Sequence, residues 1–344
     1  MGARAVSGVL ALLAAAGVTA GAQGGGNRTL TAVPGIKVGH HTLAERPTGC
    51  TVILAEAGVT AGVDVRGSAP ATRETDLLNP VNLVQIAHAI VLSGGSAFGL
   101  DSASGVMRYL EERRIGFEFG PAHVPIVPAA AIFDLSVGDG RIRPGADCGY
   151  QAARAATDAS VMEGSVGAGA GATVGKTGGM ARSMKGGVGS AVISLPGGLI
   201  VAALVVVNAA GDVIDPATGQ VVAGVRTADG KGFADARKML RAGAGGTPAG
   251  RQNTTLGVIA TNARLTKTEA TRVSQMAHDG YARALAPSHT PGDGDVIFTL
   301  ATGAAASDAG QVGALAADVM ADAIVRAARQ ATGVAGIPAV RDLK

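Results

Sequence analysis

A threonine preceded by asparagine, Asn253-Thr254, closes a run of small residues at 242–250 and opens an apolar, β-rich stretch. A β-hydroxyl at such a junction can attack the carbonyl carbon just before it, exchanging the peptide bond for an ester that water then opens. The product is an N-terminal threonine. Its α-amine, with a reference pKa of about 7.7 to 8.0, can serve as general base for its own hydroxyl, so one residue supplies nucleophile and base without any histidine. Asn253-Thr254-Thr255 is equally a glycosylation sequon and an ordinary strand start, and the junction alone does not decide the chemistry.

Other patterns compete with it and fail on context. The stretch AGATVGKT at 170–177 has the relaxed spacing of a phosphate loop, in which backbone amides and a lysine cradle phosphates. Its flanks are glycine-rich on both sides, where a working loop needs a strand before and a helix after, so it reads as a decoy. Gly167-x-Gly169 is weaker still. Around Ser96 the sequence is GGSAF, which lacks the Gly-x-Ser-x-Gly turn that exposes a hydrolase serine. The six histidines form no i,i+4 pair and the two cysteines no Cys-x-x-Cys, so neither a protein-ligated metal nor a redox motif is supported, and no cofactor is expected. Cys50 and Cys148 allow one disulfide in an oxidising compartment, but sequence alone does not show that they meet.

The elements that must position such a site are legible in outline. With 344 residues, 47% of them hydrophobic, the chain can bury a large core; 53 glycines and only 3% aromatics mean that close backbone approach and small aliphatic side chains must fill it. A net charge of +3, with basic and acidic residues interspersed, leaves no polycationic stripe, and base-stacking platforms are scarce, which argues against nucleic-acid binding. Arg4, the apolar stretch 6–18 and the triplet Ala20-Gly21-Ala22 read as a secretory signal cleaved after Ala22, the competing reading being an uncleaved anchor. The mature protein is then expected to be soluble, exported to the periplasm or medium, and free of the membrane. Strands are expected at 50–55, 58–65, 199–207, 254–261 and 296–301. Asn79-Pro80 reads as a helix start, with Leu83, Ile86, Ala87 and Ile90 at helical spacing until Ser93-Gly94-Gly95. Further helices carry Ala103, Val106, Met107 and Leu110, then the face behind a capping box at Thr266-x-x-Glu269, then 307–330. The glycine-rich stretch 164–189 reads as a loop bed, and 242–250 as a flexible exposed connection.

Seven blocks in order, VPGIKVGH at 33–40, VDVRGSAPATRETDLL at 63–78, LSGGSAFGL at 92–100, MKGGVGS at 184–190, VNAAG at 207–211, NTTLGVIAT at 253–261 and DGD at 293–295, resemble the L-aminopeptidase/D-esterase family, which includes β-peptidyl aminopeptidases and nylon-oligomer hydrolases. The resemblance reaches nearly the whole mature chain. It implies an α/β fold, an α/β/β/α sandwich of the self-cleaving N-terminal-nucleophile type, processed here into 23–253 and 254–344, which stay associated and assemble into homotetramers. Thr254 is the implied nucleophile and Asn253-Thr254 the cleaved bond, with Thr255 the second choice. The resemblance further implies that Asn208 is an oxyanion donor, that Lys185 is a catalytic lysine near the nucleophile, and that Tyr150 lends a hydroxyl. Asp293 and Asp295, whose i,i+2 spacing points both to one side of an extended segment, would hold the threonine ammonium and attract a substrate amine. β-Aminopeptidases carry Ser and Glu there, which puts β-peptide specificity in doubt. Arg66, Arg73, Glu74 and Asp76 read mainly as an ion-pair network shaping a loop.

The expected activity is removal of N-terminal residues from short peptides, amides or esters through an acyl-enzyme on Thr254. Two alternatives stay open: acyl transfer of the ornithine-acetyltransferase kind, which shares the self-cleaving threonine, and a non-catalytic exported binding protein.

Overall fold

The computed structural model describes residues 27–244 and 253–343. The signal at 1–22 lies outside the described residues, as does most of the connection at 242–250.

Nine strands form one hydrogen-bonded sheet: β1 (Lys37–Thr42), β2 (Gly49–Val65), β3 (Thr72–Arg73), β4 (Ile86–Ser93), β5 (Ala129–Ala131), β6 (Gly187–Ser194), β7 (Ile200–Asn208), β8 (Thr254–Ala263) and β9 (Val296–Ala305). Their order is β6-β7-β8-β9-β2-β4-β5-β3, with β1 added on β2. The two halves of β2 do different work. Residues 60–65 pair with β9, residues 50–54 pair with β4, and the register shifts between Leu54 and Val59, where the sheet turns back over itself.

Three separate apolar cores follow, and three cores require four layers. Along β7 the side chains alternate: Val201, Ala203, Val205 and Val207 face the helices α4 (Lys267–Ala284) and α5 (Ala309–Gln330), whereas Ala202, Leu204 and Val206 face Ile53, Ile90, Leu92 and Ile132 across the sheet-on-sheet core. On the far side Val52, Leu54, Ala89 and Val91 meet α1 (Ser102–Glu111) and α2 (Ala146–Arg154), and a short α3 (Ala236–Arg241) lies between β7 and β8 in the chain. Strands buried on both faces read as continuous aliphatic runs, which is why 199–207 is so apolar. The result is the expected α/β/β/α sandwich.

Small residues let the layers close. A Cβ on Gly280 of α4 would come within 2.6 Å of the Ala317 carbonyl oxygen of α5, so the close crossing of those helices requires glycine there. The capping box opens α4 as expected, with Thr266 N–H donating to Glu269 at 2.8 Å. Cys50 of β2 and Cys148 of α2 are joined as a disulfide that ties the outer helical layer to its sheet.

One expected helix is a strand. Residues 86–93 form β4, preceded by turns at Asn79–Gln85, because Ala89 and Val91 point to one core and Ile90 and Leu92 to the other. Apolar residues on both faces satisfied a 3.6-residue pattern by coincidence while obeying the two-residue one. The loop bed at 164–189 is built of short 3-10 turns and two-residue strands, and β6 starts inside it at Gly187.

Candidate active site

Thr254 is the first residue of β8, and β8 runs down the middle of the inner sheet. Its antiparallel neighbour β7 ends at Asn208, directly across from Thr254. Its parallel neighbour β9 begins at the same end of the sheet, so the segment leading into β9 lies beside the head of β8: Leu256 pairs with Val296, and Asn253 bridges Asp293. The parallel pairing therefore brings residues 208, 253–255 and 293–295 to one place. Asn253 and Thr254 are buried, as are Asp293 and Asp295.

The hydroxyl of Thr254 lies against the carbonyl oxygen of Asn253, to which it donates a short hydrogen bond. The same carbonyl accepts from the Gly294 N–H at 3.2 Å. Attack on the Asn253 carbonyl carbon would leave negative charge on that oxygen, where the Gly294 amide is already aimed. Glycine is needed at 294, since a Cβ would fall 2.8 Å from the Thr254 hydroxyl and 3.0 Å from Pro70 Cα. Thr255, opposite Val207 in the ladder, has its own hydroxyl buried with no partner among the described residues.

The two carboxylates differ in what they hold. Asp295 Oδ1 accepts the Thr255 N–H at 2.7 Å, and its Oδ2 accepts both the backbone N–H and the imidazole Nδ1 of His289, at 3.1 and 2.8 Å. Asp293 Oδ2 accepts the Thr290 N–H at 2.7 Å, while its Oδ1 is buried without a partner among the described residues. Burial, reinforced by the neighbouring Asp295, pushes the Asp293 carboxyl above the usual carboxylate range. Asp293 is thus the carboxyl with an oxygen that no donor among the described residues fills.

Asn208 is held from three sides. Its Oδ1 accepts from the Thr173 N–H at 3.0 Å and from Lys176 Nζ at 2.9 Å, and its Nδ2 donates to the Phe133 carbonyl at 3.1 Å. Lys176 also donates to the Asn208 carbonyl at 3.1 Å. Burial pushes the Lys176 ammonium down to about 7, with Asp293 pulling the other way and Lys185 adding to the fall. Next to Phe133, Asp134 is buried in an ion pair with Arg46 at 2.8 Å and accepts from Thr48 at 2.6 Å, which fixes the segment that receives Asn208.

Of the residues singled out from sequence, Thr254, Asn253, Asn208, Asp293 and Asp295 come together. Lys185 is buried close by, but its ammonium donates to the carbonyls of Ala170 and Ala172, both at 2.7 Å, and it is Lys176 that sits on Asn208. Tyr150 lies on α2 in the outer helical layer, with its hydroxyl on Glu112 at 2.8 Å and its ring edge-on to Tyr109. Arg73 donates to Ser104 and Met107 of α1 and Arg66 pairs with Asp64, so the expected network among Arg66, Arg73, Glu74 and Asp76 is not formed. Sequence reasoning passed over Lys176 because it was judged only as part of a phosphate loop, and passed over His289 because histidine was sought in pairs.

A family profile fits this arrangement along the chain: that of peptidase family S58 matches residues 28–341. The chain belongs to peptidase family S58. It is 44% identical over 346 residues to an uncharacterized aminopeptidase of Mycobacterium tuberculosis, covering 92% of this chain and 97% of that protein. It is 32% identical over 311 residues to a 6-aminohexanoate-oligomer endohydrolase of Kocuria sp., covering 86% of this chain and 84% of that enzyme. Among solved structures, a Burkholderia sp. beta-aminopeptidase superposes with a TM-score of 0.69 at 23% identity over 92% of this chain and 91% of that one. The L-aminopeptidase D-Ala-esterase/amidase of Ochrobactrum anthropi, described as a variant of the Ntn hydrolase fold, superposes at 0.67 with 18% identity over 88% and 86%. This S58 protein is therefore a hydrolase of the aminopeptidase type on an Ntn-hydrolase fold.

Proposed function

We propose that this S58 protein cuts itself between Asn253 and Thr254 and then uses Thr254 to release N-terminal residues from short peptides, amides or esters. The observation that carries the reading is the Thr254 hydroxyl set against the carbonyl of the preceding residue. In the first reaction Thr254 Oγ bonds to the Asn253 carbonyl carbon, the C–N bond breaks, and the hydroxyl proton ends on the departing nitrogen. Water then opens the ester, giving an Asn253 carboxylate and a free Thr254. Lys176, pushed to about 7 and bonded to Asn208 directly across the sheet from Thr254, is the group we assign to take the proton in transit.

In the second reaction the new α-amine is the base for its own hydroxyl, and the Asp293 oxygen that has no donor among the described residues receives its N–H. Attack on a substrate carbonyl forms an acyl-enzyme, with the oxyanion facing the Asn208 amide. The name of the 32% identical 6-aminohexanoate-oligomer endohydrolase supports an amide-linked substrate, and the Asp293 and Asp295 carboxylates would attract an amine on it. The leader-like composition of 1–22 supports export and removal of that segment, leaving chains 23–253 and 254–344 that assemble as homotetramers.

Intact mass and N-terminal sequencing of the purified protein test this directly. Two chains, one beginning at Thr254, are expected, whereas Thr254→Ala is expected as a single inert chain. A Thr254→Ala protein that still splits and hydrolyses would overturn the assignment.

A further inference from the structure

We propose that His289 is a positioning residue for self-cleavage, setting the scissile bond through Asp295. This rests on Thr254 being the nucleophile. The ladder between β8 and β9 begins at Leu256, so the Thr255 N–H, one residue nearer the scissile bond, finds no strand partner and is taken instead by Asp295 Oδ1 at 2.7 Å. The carboxylate thus extends the ladder by one rung, up to the residue that must stay still while Thr254 attacks. An amide held by a side chain is only as fixed as that side chain.

Asp295 is fixed by His289. Both donors of His289, its backbone N–H and its ring Nδ1, converge on the same oxygen, Asp295 Oδ2. To bring them there the residue adopts φ +53°, the left-handed region that costs most side chains about 1 kcal/mol or more and persists only where surroundings enforce it. The enforcement is visible: the ring is stacked on Tyr281 at 5.7 Å and meets His278 edge-on at 4.8 Å, both from α4. His278 is in turn seated on the Asp64 carbonyl of β2 at 3.2 Å. The strained residue therefore connects α4 and, through His278, β2 to one carboxylate oxygen, and the ring bond to Asp295 requires Nδ1 to carry the hydrogen.

Donor and backbone can be separated by substitution. Glycine accepts the left-handed φ but has no side-chain donor, whereas asparagine tolerates that φ and places an amide N–H near the position of Nδ1. Self-cleavage of freshly refolded full-length chain is followed by denaturing gel, and turnover by amide hydrolysis, for wild type, His289→Gly and His289→Asn, with melting temperature read on each. The expected result is at least tenfold slower splitting in His289→Gly and restoration to within about threefold of wild type in His289→Asn. A purely structural role predicts instead that splitting follows melting temperature in both variants; that result, or wild-type splitting in His289→Gly, or His289→Asn as slow as His289→Gly, overturns the proposal. Wild type in parallel separates the two ideas: an intact, inert wild type overturns the Thr254 reading itself, whereas a normal wild type matched by His289→Gly overturns only the role of His289.

Discussion

Lys176 and Lys185 lie nine residues apart in one glycine-rich bed, both are buried, and burial pushes both ammonium groups down to about 7. They are nevertheless different parts. Lys185 spends its hydrogens on backbone carbonyls of residues 169–172 and so holds together the loop that carries Thr173. Lys176 donates to the backbone and side-chain oxygens of Asn208 and feels the charge of Asp293. Burial sets how easily a lysine gives up its proton; the partners decide whether its amine is committed to a loop, as in Lys185, or to Asn208 across the sheet from Thr254, as in Lys176.

The sharpest way to break this contrast is to remove each amine. Lys176→Met is expected to slow self-cleavage by roughly 100-fold or more, as loss of a general base commonly does, whereas Lys185→Met slows it by no more than a few-fold. Equal slowing in both, read from the ratio of intact to split chain over time, would dissolve the distinction. The pH dependence should separate them next. Because the neutral amine is the active form, splitting is expected to rise through about pH 7 and to fall about tenfold per unit below it, a profile kept in Lys185→Met and lost in Lys176→Met.

Stability carries a third signature. Burial holds His40 at about 4 and His278 at about 3, below the ordinary 6.5. The unfolded chain then binds protons that the folded chain refuses, so the stability present above pH 6.5 drains away as pH falls toward 4, by about 3 kcal/mol from His40 alone. Urea midpoints between pH 8 and 4 would show it, and Lys185→Met should lower the whole curve by roughly 2–4 kcal/mol as its carbonyls lose their donor. The smallest effect sharpens the site itself. Thr255→Val removes a buried hydroxyl that has no partner among the described residues, so splitting should be unchanged and stability should move by less than about 1 kcal/mol.

How much of this was written in the sequence depends on whether the cause was local. Strands such as 199–207 were legible because burial on both faces demands an unbroken aliphatic run, and α4 because its capping box is a four-residue signal. Residues 86–93 were misread because an apolar run satisfies both periods, and only the facing layers choose between them. At the candidate site, Thr254, Asn208 and the two aspartates, which ordered blocks of resemblance single out, lie together. The same route named Lys185 and Tyr150, but contact depends on how loops fold back, and the fold gives the place on Asn208 to Lys176 and commits Tyr150 to Glu112. His289 left no trace at all in local pattern, since its meaning lies in a backbone angle and one oxygen of a residue six positions on.

A nick at the head of β8 would fall just outside the ladder. Every rung from Thr254 onward to β7, and from Leu256 onward to β9, lies on the downstream side of the break, so the severed strand keeps all its neighbours and stays clamped between two others. Among the described residues only the isolated Asn253–Asp293 bridge lies immediately upstream of the break, so the continuous ladder is left whole when the new terminus appears. The two pieces should therefore travel as one particle through a sizing column and part company only when the whole sandwich melts, so that cutting the covalent thread leaves the cooperative unit of folding unchanged.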